Sequence, residues 1–139
     1  MKWLCLLLLL TTTCAQAPLA ARTCDTYTAE NVIYAAKLEA SMSMEADNQS
    51  EKVRHAGKGL DWAEKCVVSY PREAGCYFYR AVTRELYTEL TMSKFRKAIK
   101  KIIADCKQVI ALDKTFDNGG AYRDAAQKLL AKAEKRLTK

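Results

Sequence analysis

Glycine and proline are scarce in this sequence of 139 residues, which contains five glycines and two prolines. A β-sandwich or a barrel needs a tight turn about every 8 to 12 residues, and these two residue types build many of those turns. Their scarcity therefore argues against an all-β fold and favours helices. The one histidine, His55, excludes a metal site made of several histidines within one chain. We interpret it as a surface or capping histidine.

Sequence motifs of catalysis are also absent. The chain has no GxSxG, P-loop, HExxH or dinucleotide-binding motif, and no cysteine lies near the histidine in sequence. Glu85 and Glu89 are one turn apart on a predicted amphipathic helix, where paired carboxylates are ordinarily surface charges. We therefore predict a protein that is not an enzyme and has no cofactor or metal.

The apolar content is sufficient for one packed core. Half of the residues are apolar and 28% are charged, which differs from the composition of disordered chains. Hydrophobic periodicity predicts five amphipathic helices, and short connections imply that consecutive helices are antiparallel. Gly57 and Gly59 in the second helix indicate that a neighbouring helix approaches closely. The predicted helices cover residues 28–45, 48–69, 73–90, 93–112 and about 122–139.

Residues 1–21 have the features of a signal peptide. Lys2 precedes an apolar run that extends from Leu4 to Leu10, and small residues suited to cleavage follow, ending at Ala20 or Ala21. The run is far shorter than the ~20 residues that span a bilayer. We therefore expect residues 22–139 to form one exported domain, periplasmic or secreted.

Four cysteines remain once such a signal is removed, and an even number in an exported chain predicts two disulfides. Pro71 marks a turn between two helices, so we expect Cys66 to pair with Cys76. Cys24 would then pair with Cys106. The alternative is four buried free thiols, whereas a four-cysteine zinc site is excluded because no CxxC pair occurs.

Two segments of the chain close a helix in a similar way. Each has a small residue, a hydrophobic pair and a turn, and their ends lie 43 residues apart. The segments are Leu60–Pro71 and Ala104–Lys114. This pattern resembles the second helix of a tetratricopeptide repeat, in which small residues occupy the helix crossing and proline ends the unit.

A narrower resemblance lies in Gly75–Ala81 and in Ala111–Arg123, which contains Leu-Asp, Phe-Asp, Gly-Gly and Tyr-Arg pairs. These segments are similar to divergent tetratricopeptide proteins of bacterial envelopes, a group that includes the T component of TRAP-type periplasmic solute transporters. The resemblance covers about residues 56–125. It implies an all-α fold of helical hairpins in a short right-handed α-solenoid or bundle. It also implies an extracytoplasmic scaffold that docks a solute-binding or transporter component.

Aromatic and arginine side chains of the third and fifth predicted helices are candidates for contact with a protein or peptide partner. Aromatic residues on the first helices of such repeats can grip a peptide, and neighbouring arginines can bind a carboxylate. The alternatives are that the aromatic residues belong to the core and that the arginines pair with Glu85, Glu89 or Asp124. The candidate residues are Tyr77, Tyr79, Arg80, Arg84 and Arg123.

Positive charge is concentrated in the last third of the chain. Residues 92–139 carry 13 basic and 5 acidic side chains, whereas residues 22–91 carry 9 and 11. On an exported chain, such a cationic face would bind a membrane surface, a cell-wall polymer or an acidic partner, unless it is simply solvated. The export signal argues against nucleic acid. The predicted cationic face comprises Lys94, Lys97, Lys100, Lys101, Lys128 and Lys132.

The sequence supports three hypotheses about function. The first is an exported, non-catalytic helical scaffold for protein–protein interaction, which also predicts self-association because two repeats are short for a solenoid. The second is a small cationic protein that binds membrane or cell-wall polymer. The third is a carrier of a hydrophobic ligand, held in a dry pocket lined by Tyr87, Ile99 and Ile103.

Overall fold

Five α-helices, and no strand, make up residues 27–113 and 121–138, which are the residues that a computed structural model describes. The all-α prediction is confirmed, and each predicted helix is found within a few residues of its expected bounds. The predicted signal peptide lies outside the described residues. The helices are α1 (Ala29–Glu45), α2 (Gln49–Ser69), α3 (Ala74–Thr91), α4 (Phe95–Leu112) and α5 (Ala121–Leu137).

The helix ends follow from local hydrogen bonding and backbone geometry. Asn48 Oδ1 accepts a hydrogen bond from the Glu51 N–H (2.9 Å), so it caps the first turn of α2. Pro71 ends α2, because the residue before a proline is disfavoured in the helical conformation. The turn between α3 and α4 places Met92 and Lys94 in the left-handed region, with φ of 52° and 48°. Residues other than glycine adopt this region infrequently.

Each helix packs against the helices before and after it in the chain, and α3 also contacts α1 and α5. Ser43 Oγ donates to the Lys52 carbonyl (2.8 Å), which joins the end of α1 to the start of α2. The Arg136 guanidinium lies 4.8 Å from the centre of the Phe95 ring, which joins the end of α5 to the start of α4. Consecutive helices are therefore antiparallel, and α1, α3 and α5 point in the same direction.

Two buried clusters hold these helices together. The larger joins α3, α4 and α5 and includes Ile99, Ile102 and Val109, each exposed by 1% or less. Burial of each of these side chains stabilises the fold by about 1.5–3 kcal/mol. The smaller cluster consists of Val32 with two cysteines and joins α1 to α2 and α3.

One of the two predicted disulfides is present. Cys66 and Cys76 are bonded, with their Cα atoms 5.3 Å apart, so this pairing is confirmed. The predicted bond between Cys24 and Cys106 is wrong, because Cys106 is a free cysteine. Cys106 is fully buried in the larger cluster, and α1 makes no contact with α4 within the described part of the chain. Cys24 itself lies outside the described residues.

Gly59 allows the close helix approach that the sequence predicts. A Cβ at this position would lie 2.9 Å from Thr83 Cγ2 and 3.3 Å from the Ala36 carbonyl oxygen. Both distances are shorter than ordinary contacts. The α2 backbone therefore packs tightly between α1 and α3 at this point. Gly57 lies in a looser environment, because its Cβ would be 3.5 Å from the Tyr87 ring.

Candidate functional site

Arg80 and Arg84, two of the predicted partner-binding residues, are held by carboxylates of neighbouring helices. Arg80 binds Asp105 through two hydrogen bonds, Nε to Oδ2 (3.1 Å) and Nη2 to Oδ1 (2.6 Å). Arg84 donates to the same Asp105 carboxylate and to Glu64 Oε1. Both arginines are on α3, whereas Glu64 is on α2 and Asp105 is on α4. The network therefore joins three helices, and the predicted free carboxylate-binding arginines are not available.

Burial makes this network sensitive to the loss of any charge. The side chains of Arg84 and Asp105 are 8% and 5% exposed. Burial alone lowers the pKa of Arg80, but the hydrogen bond and charge of Asp105 outweigh it, so this pKa is raised. Two guanidinium groups thus face two carboxylates, with no net charge. Removal of one partner from a buried pair is strongly destabilising.

Glu85 and Glu89, which the sequence offers as alternative partners of these arginines, contact α5 instead. Lys132 Nζ lies 2.7 Å from Glu85 Oε1, and Arg136 Nη1 lies 2.8 Å from Glu89 Oε1. The hydrogen bond to Glu85 is the main reason that the pKa of Lys132 is raised. Lys132 is therefore paired and is not a free cation of the predicted cationic face.

A cleft of about 420 Å³ lies where the first turns of α1, α3 and α5 meet. Beside the cleft, Gly75 lets α1 pack closely on α3, because a Cβ there would lie 2.8 Å from Ile33 Cδ1. Glu30 and Glu73 give the cleft an acidic rim. Its lining also includes Thr28, Ile33, Gly75 and Tyr122.

The predicted tyrosines lie in different places. Tyr79 packs edge-to-face against Tyr122, which lines the cleft, with ring centres 6.1 Å apart. Burial, and secondly the charge of Tyr122, raises the pKa of Tyr79. Tyr77 instead packs against the larger core cluster and donates its hydroxyl to the Pro71 carbonyl (3.1 Å). Arg123 opens α5, where its backbone N–H donates to Asp113 Oδ2 (2.9 Å). The five predicted partner-binding residues therefore do not form one surface.

A stripe of apolar side chains on α3 lies between α1 and α5. Gly75, Tyr79, Val82 and Leu86 follow one another at helical spacing along one side of α3. Gly75 contacts α1, and the adjacent side of α3 contacts α5 through Glu85. The three side chains of the stripe are half-buried. Val82 and Leu86 are not among the residues that the sequence predicts to bind a partner, because apolar residues on more than one face of this helix are typical of a buried helix.

The exposed surface of α4 is entirely basic or uncharged. The one acidic residue of α4, Asp105, is buried. The exposed basic side chains of the helix are Arg96, Lys97, Lys100, Lys101 and Lys107, and Lys94 precedes them. Within the described residues, no carboxylate lies within 4.0 Å of any lysine of the predicted cationic face other than Lys132.

A groove of about 220 Å³ lies between the end of α3 and the start of α4. We call it the α3–α4 groove. Of the three residues named in the carrier hypothesis, Tyr87 lines this groove, whereas Ile99 is buried in the larger core cluster and Ile103 packs against that cluster. The structure therefore does not place Tyr87, Ile99 and Ile103 around one dry pocket, as the carrier hypothesis requires. The groove lining includes Arg84, Tyr87, Thr88, Lys94, Lys97 and Lys101.

His55 is buried, so its interpretation as a surface or capping residue is wrong. Its Nδ1 lies 2.6 Å from Glu39 Oε2 on α1, and its Nε2 lies 3.0 Å from Arg54 Nη2. Because arginine only donates, Nε2 accepts and Nδ1 carries the proton that is donated to Glu39. The hydrogen bond between His55 and Glu39 therefore joins α2 to α1.

Two properties of the described residues concern membranes and metals. No helix among residues 27–113 and 121–138 has the length and apolar character needed to cross a membrane. In the same residues, no group of three or more His, Cys, Asp or Glu side chains is placed to hold a metal ion.

Comparisons with protein-family models, with curated proteins and with solved structures found no match to this chain.

Proposed function

We propose that this chain is an exported, non-catalytic helical scaffold that binds an extended segment of a partner protein between α1, α3 and α5. We call this surface the α1–α3–α5 groove: α3 forms its floor, and α1 and α5 form its walls. The observation that carries the proposal is the half-buried apolar stripe on the floor, formed by Tyr79, Val82 and Leu86. Side chains of this kind provide apolar contact area for a peptide.

The order of the helices supports this assignment. The α1–α2 hairpin is followed by the α3–α4 hairpin, and the first helix of each points in the same direction as α5. In tetratricopeptide arrays, the first helices of successive hairpins line the surface that contacts peptides. Within the described residues α1 and α5 do not touch each other, and Tyr79, Val82 and Leu86 on the floor between them stay partly exposed. The resemblance of the sequence to envelope proteins makes a solute-binding or transporter component the proposed partner.

The cleft at one end of the groove indicates the polarity of the bound segment. Glu30 and Glu73 line it, and no basic side chain is among the described residues of its lining. An acidic rim attracts positive charge over distances of about 10 Å at moderate salt. We therefore expect a lysine, an arginine or the amino terminus of the partner to bind at the cleft, while apolar side chains contact Val82 and Leu86.

Site-specific photo-crosslinking in cells that produce the protein tests this proposal. A photoreactive amino acid is placed at Val82 or Leu86 in the groove, and at Gln108 on the exposed side of α4 as the matched control. We expect a discrete crosslinked species from the groove positions that is absent from the control, with the partner identified by mass spectrometry. Equal crosslinking at all three positions, or none from the groove, contradicts the proposal.

The basic surface of α4 favours a second candidate function, binding to an anionic membrane or cell-wall polymer. Its lysines carry no ion pairs within the described residues, so a polyanion would meet uncompensated charge. Such binding fades as salt shortens the Debye length from about 10 Å at 0.1 M to about 3 Å at 1 M. Cosedimentation with anionic vesicles and with cell-wall polymer across a salt series measures it. Binding that persists unchanged at 1 M salt contradicts a charge-driven interaction.

A further inference from the structure

The α3–α4 groove differs from the rest of the basic surface because its cationic groups converge on one space. Lys94, Lys97 and Lys101 line it, all three are exposed, and none has an ion-pair partner within the described residues. The fourth cationic lining residue, Arg84, is already bound to Asp105 and Glu64. The net charge inside the groove is therefore supplied by three lysines.

The residue types indicate which anion the groove suits. A planar carboxylate is best bound by the two-pronged guanidinium of an arginine. Here that arginine is occupied, and the free donors are ammonium groups, which act as compact point charges with several rotatable donors. Point charges placed around one space match an anion with several oxygens and more than one negative charge. A phosphate group has these properties.

Thr88 provides an independent indication of a ligand. The residue is 3% exposed and lines the groove, but its hydroxyl has no hydrogen-bond partner among the described residues. The hydroxyls of Thr83 and Thr91 on the same helix each donate to the carbonyl four residues earlier, at 2.7 Å. This hydroxyl is not among the described side-chain atoms that are both buried and without a partner, so it reaches the groove, where it can donate a hydrogen bond. A bound oxyanion would accept that hydrogen bond.

Lys94 and Lys97, which line the groove, lie at the N-terminus of α4. No side chain caps α4, so the N–H groups of its first turn have no side-chain acceptor. The turn between the helices holds Lys94 in the left-handed conformation at the N-cap, next to these groups. The N-terminus of a helix favours an anion through its free N–H groups and its dipole. Lysines, a free hydroxyl and a helix start thus surround one space of about 220 Å³.

From this arrangement we propose that the α3–α4 groove is a specific binding site for a phosphate group, carried either by a small soluble phosphate ester or by a lipid headgroup. The site lies at the junction of α3 and α4 and uses none of the residues assigned to peptide binding. It also differs from general attraction to polyanions, because it predicts saturation and dependence on individual groove residues.

Titration of the full chain with inorganic phosphate at constant ionic strength, followed by amide NMR, tests the site. We expect saturable shifts at the start of α4 and around Thr88. Lys97→Gln removes one groove charge and Thr88→Val removes the hydroxyl at nearly constant shape, and each should weaken binding roughly tenfold. Lys107→Gln is the matched control, because it removes the same charge from the same helix outside the groove lining, and should change affinity less than twofold.

A second arm of the experiment separates the two sources of phosphate. The ligand is a lipid headgroup if the protein cosediments with phosphatidic acid vesicles and if free phosphate and Lys97→Gln each reduce this cosedimentation. Phosphate binding without cosedimentation assigns a soluble ester. The proposal is overturned if the phosphate shifts do not saturate, or if Lys107→Gln weakens binding as much as Lys97→Gln. These outcomes are independent of the crosslinking at Val82, so this site and the peptide groove can fail separately.

Discussion

Asp105 is the residue on which the junction of α2, α3 and α4 depends. It falls in the buried stripe of α4, beside Cys106 and one turn from Ile102, so its charge is removed from water. An isolated carboxylate in such a position is strongly unfavourable. Arg80 and Arg84 on α3 form ion pairs with this carboxylate, which offset the cost of burying its charge. The sequence shows a charge within an apolar stripe, but local periodicity contains no information about which helix supplies the counter-charge.

Asp105→Asn keeps the size of the side chain and removes its charge. We expect the free energy of unfolding to fall by about 3–5 kcal/mol, because two buried guanidinium groups lose their shared carboxylate. Glu64→Gln is the control, since Glu64 binds the same arginines but is about half exposed, and should lower stability by less than about 1 kcal/mol. Urea unfolding followed by circular dichroism measures both. Equal losses for the two variants would show that burial does not govern the network.

The thiol of Cys106 should be unreactive in the folded protein. Burial, and secondly the charges of Asp105 and Glu85, raises its pKa from 9.0 to about 12, so the reactive thiolate is not populated at neutral pH. We expect a thiol reagent to leave Cys106 unmodified at pH 8 and to modify it rapidly in urea, with the Cys66–Cys76 disulfide intact. Rapid modification without denaturant would contradict its burial.

The same shift makes stability depend on pH in alkaline solution. Because the pKa of Cys106 is higher in the folded state, the thiol does not affect the free energy of unfolding well below pH 9. As the pH rises from 9 towards 12, the unfolded chain loses this proton and the folded chain keeps it, so stability falls by at most about 1.4 kcal/mol per pH unit. The difference in slope between wild type and Cys106→Ala in this range isolates this contribution. A variant with an unchanged slope would contradict it.

At the scale of single helices, the local sequence determines where most helices begin and end. Thr28 and Asn48 cap α1 and α2, and Pro71 ends α2, so these helix ends are set by residues beside them in the chain. Apolar periodicity locates the other helices because each buries one continuous stripe. Periodicity does not show which apolar side chains of α3 stay partly exposed. Apolar residues cover more than one side of α3, so the half-buried state of Val82 and Leu86 follows only from the positions of the neighbouring helices.

The two glycines of α2 give a matched test of helix packing. Gly57→Ala should raise the free energy of unfolding by about 0.5–1 kcal/mol, because alanine favours the helix and its Cβ meets the Tyr87 ring at an ordinary 3.5 Å. Gly59→Ala should lower the free energy of unfolding. The added Cβ would overpack against Thr83 and the Ala36 backbone, and this costs about 1–3 kcal/mol, which is more than the gain in helix propensity. Thermal unfolding of both variants measures the difference. Stabilisation by both substitutions would contradict the close contact at Gly59.

On the scale of the whole molecule, the two ends of the helix array differ in polarity. The outer side of α1 exposes Tyr34, Leu38 and Met42 at one-turn intervals, opposite the buried side that faces α2 and α3. The outer side of α5 is polar. Terminal units of helical arrays generally need a polar outer face to remain soluble. We therefore expect the self-association predicted from the sequence to use α1.

Leu38→Lys places a charge in the middle of this stripe and should shift the protein towards the monomer in sedimentation equilibrium. Gln127→Lys adds the same charge at an exposed position on α5 and should leave the mass distribution unchanged. A wild-type protein that is monomeric at every concentration, or a control variant that dissociates equally, would contradict self-association through α1.

The disulfide should stabilise one end of the molecule more than the other. Cys66 and Cys76 lie in the smaller cluster with Val32 of α1, and Ile33 of the same helix also packs against this cluster. Closure of the short loop by the disulfide contributes about 2–3 kcal/mol. The last helix packs on α3 and α4 through the larger cluster, and among the described residues none from this helix belongs to the smaller cluster. Helices that contact mainly their neighbours open in local units. After reduction we therefore expect amide hydrogen exchange to accelerate at least tenfold in α1 while α5 changes little. Equal acceleration in both helices would show that the five helices open only as a single cooperative unit.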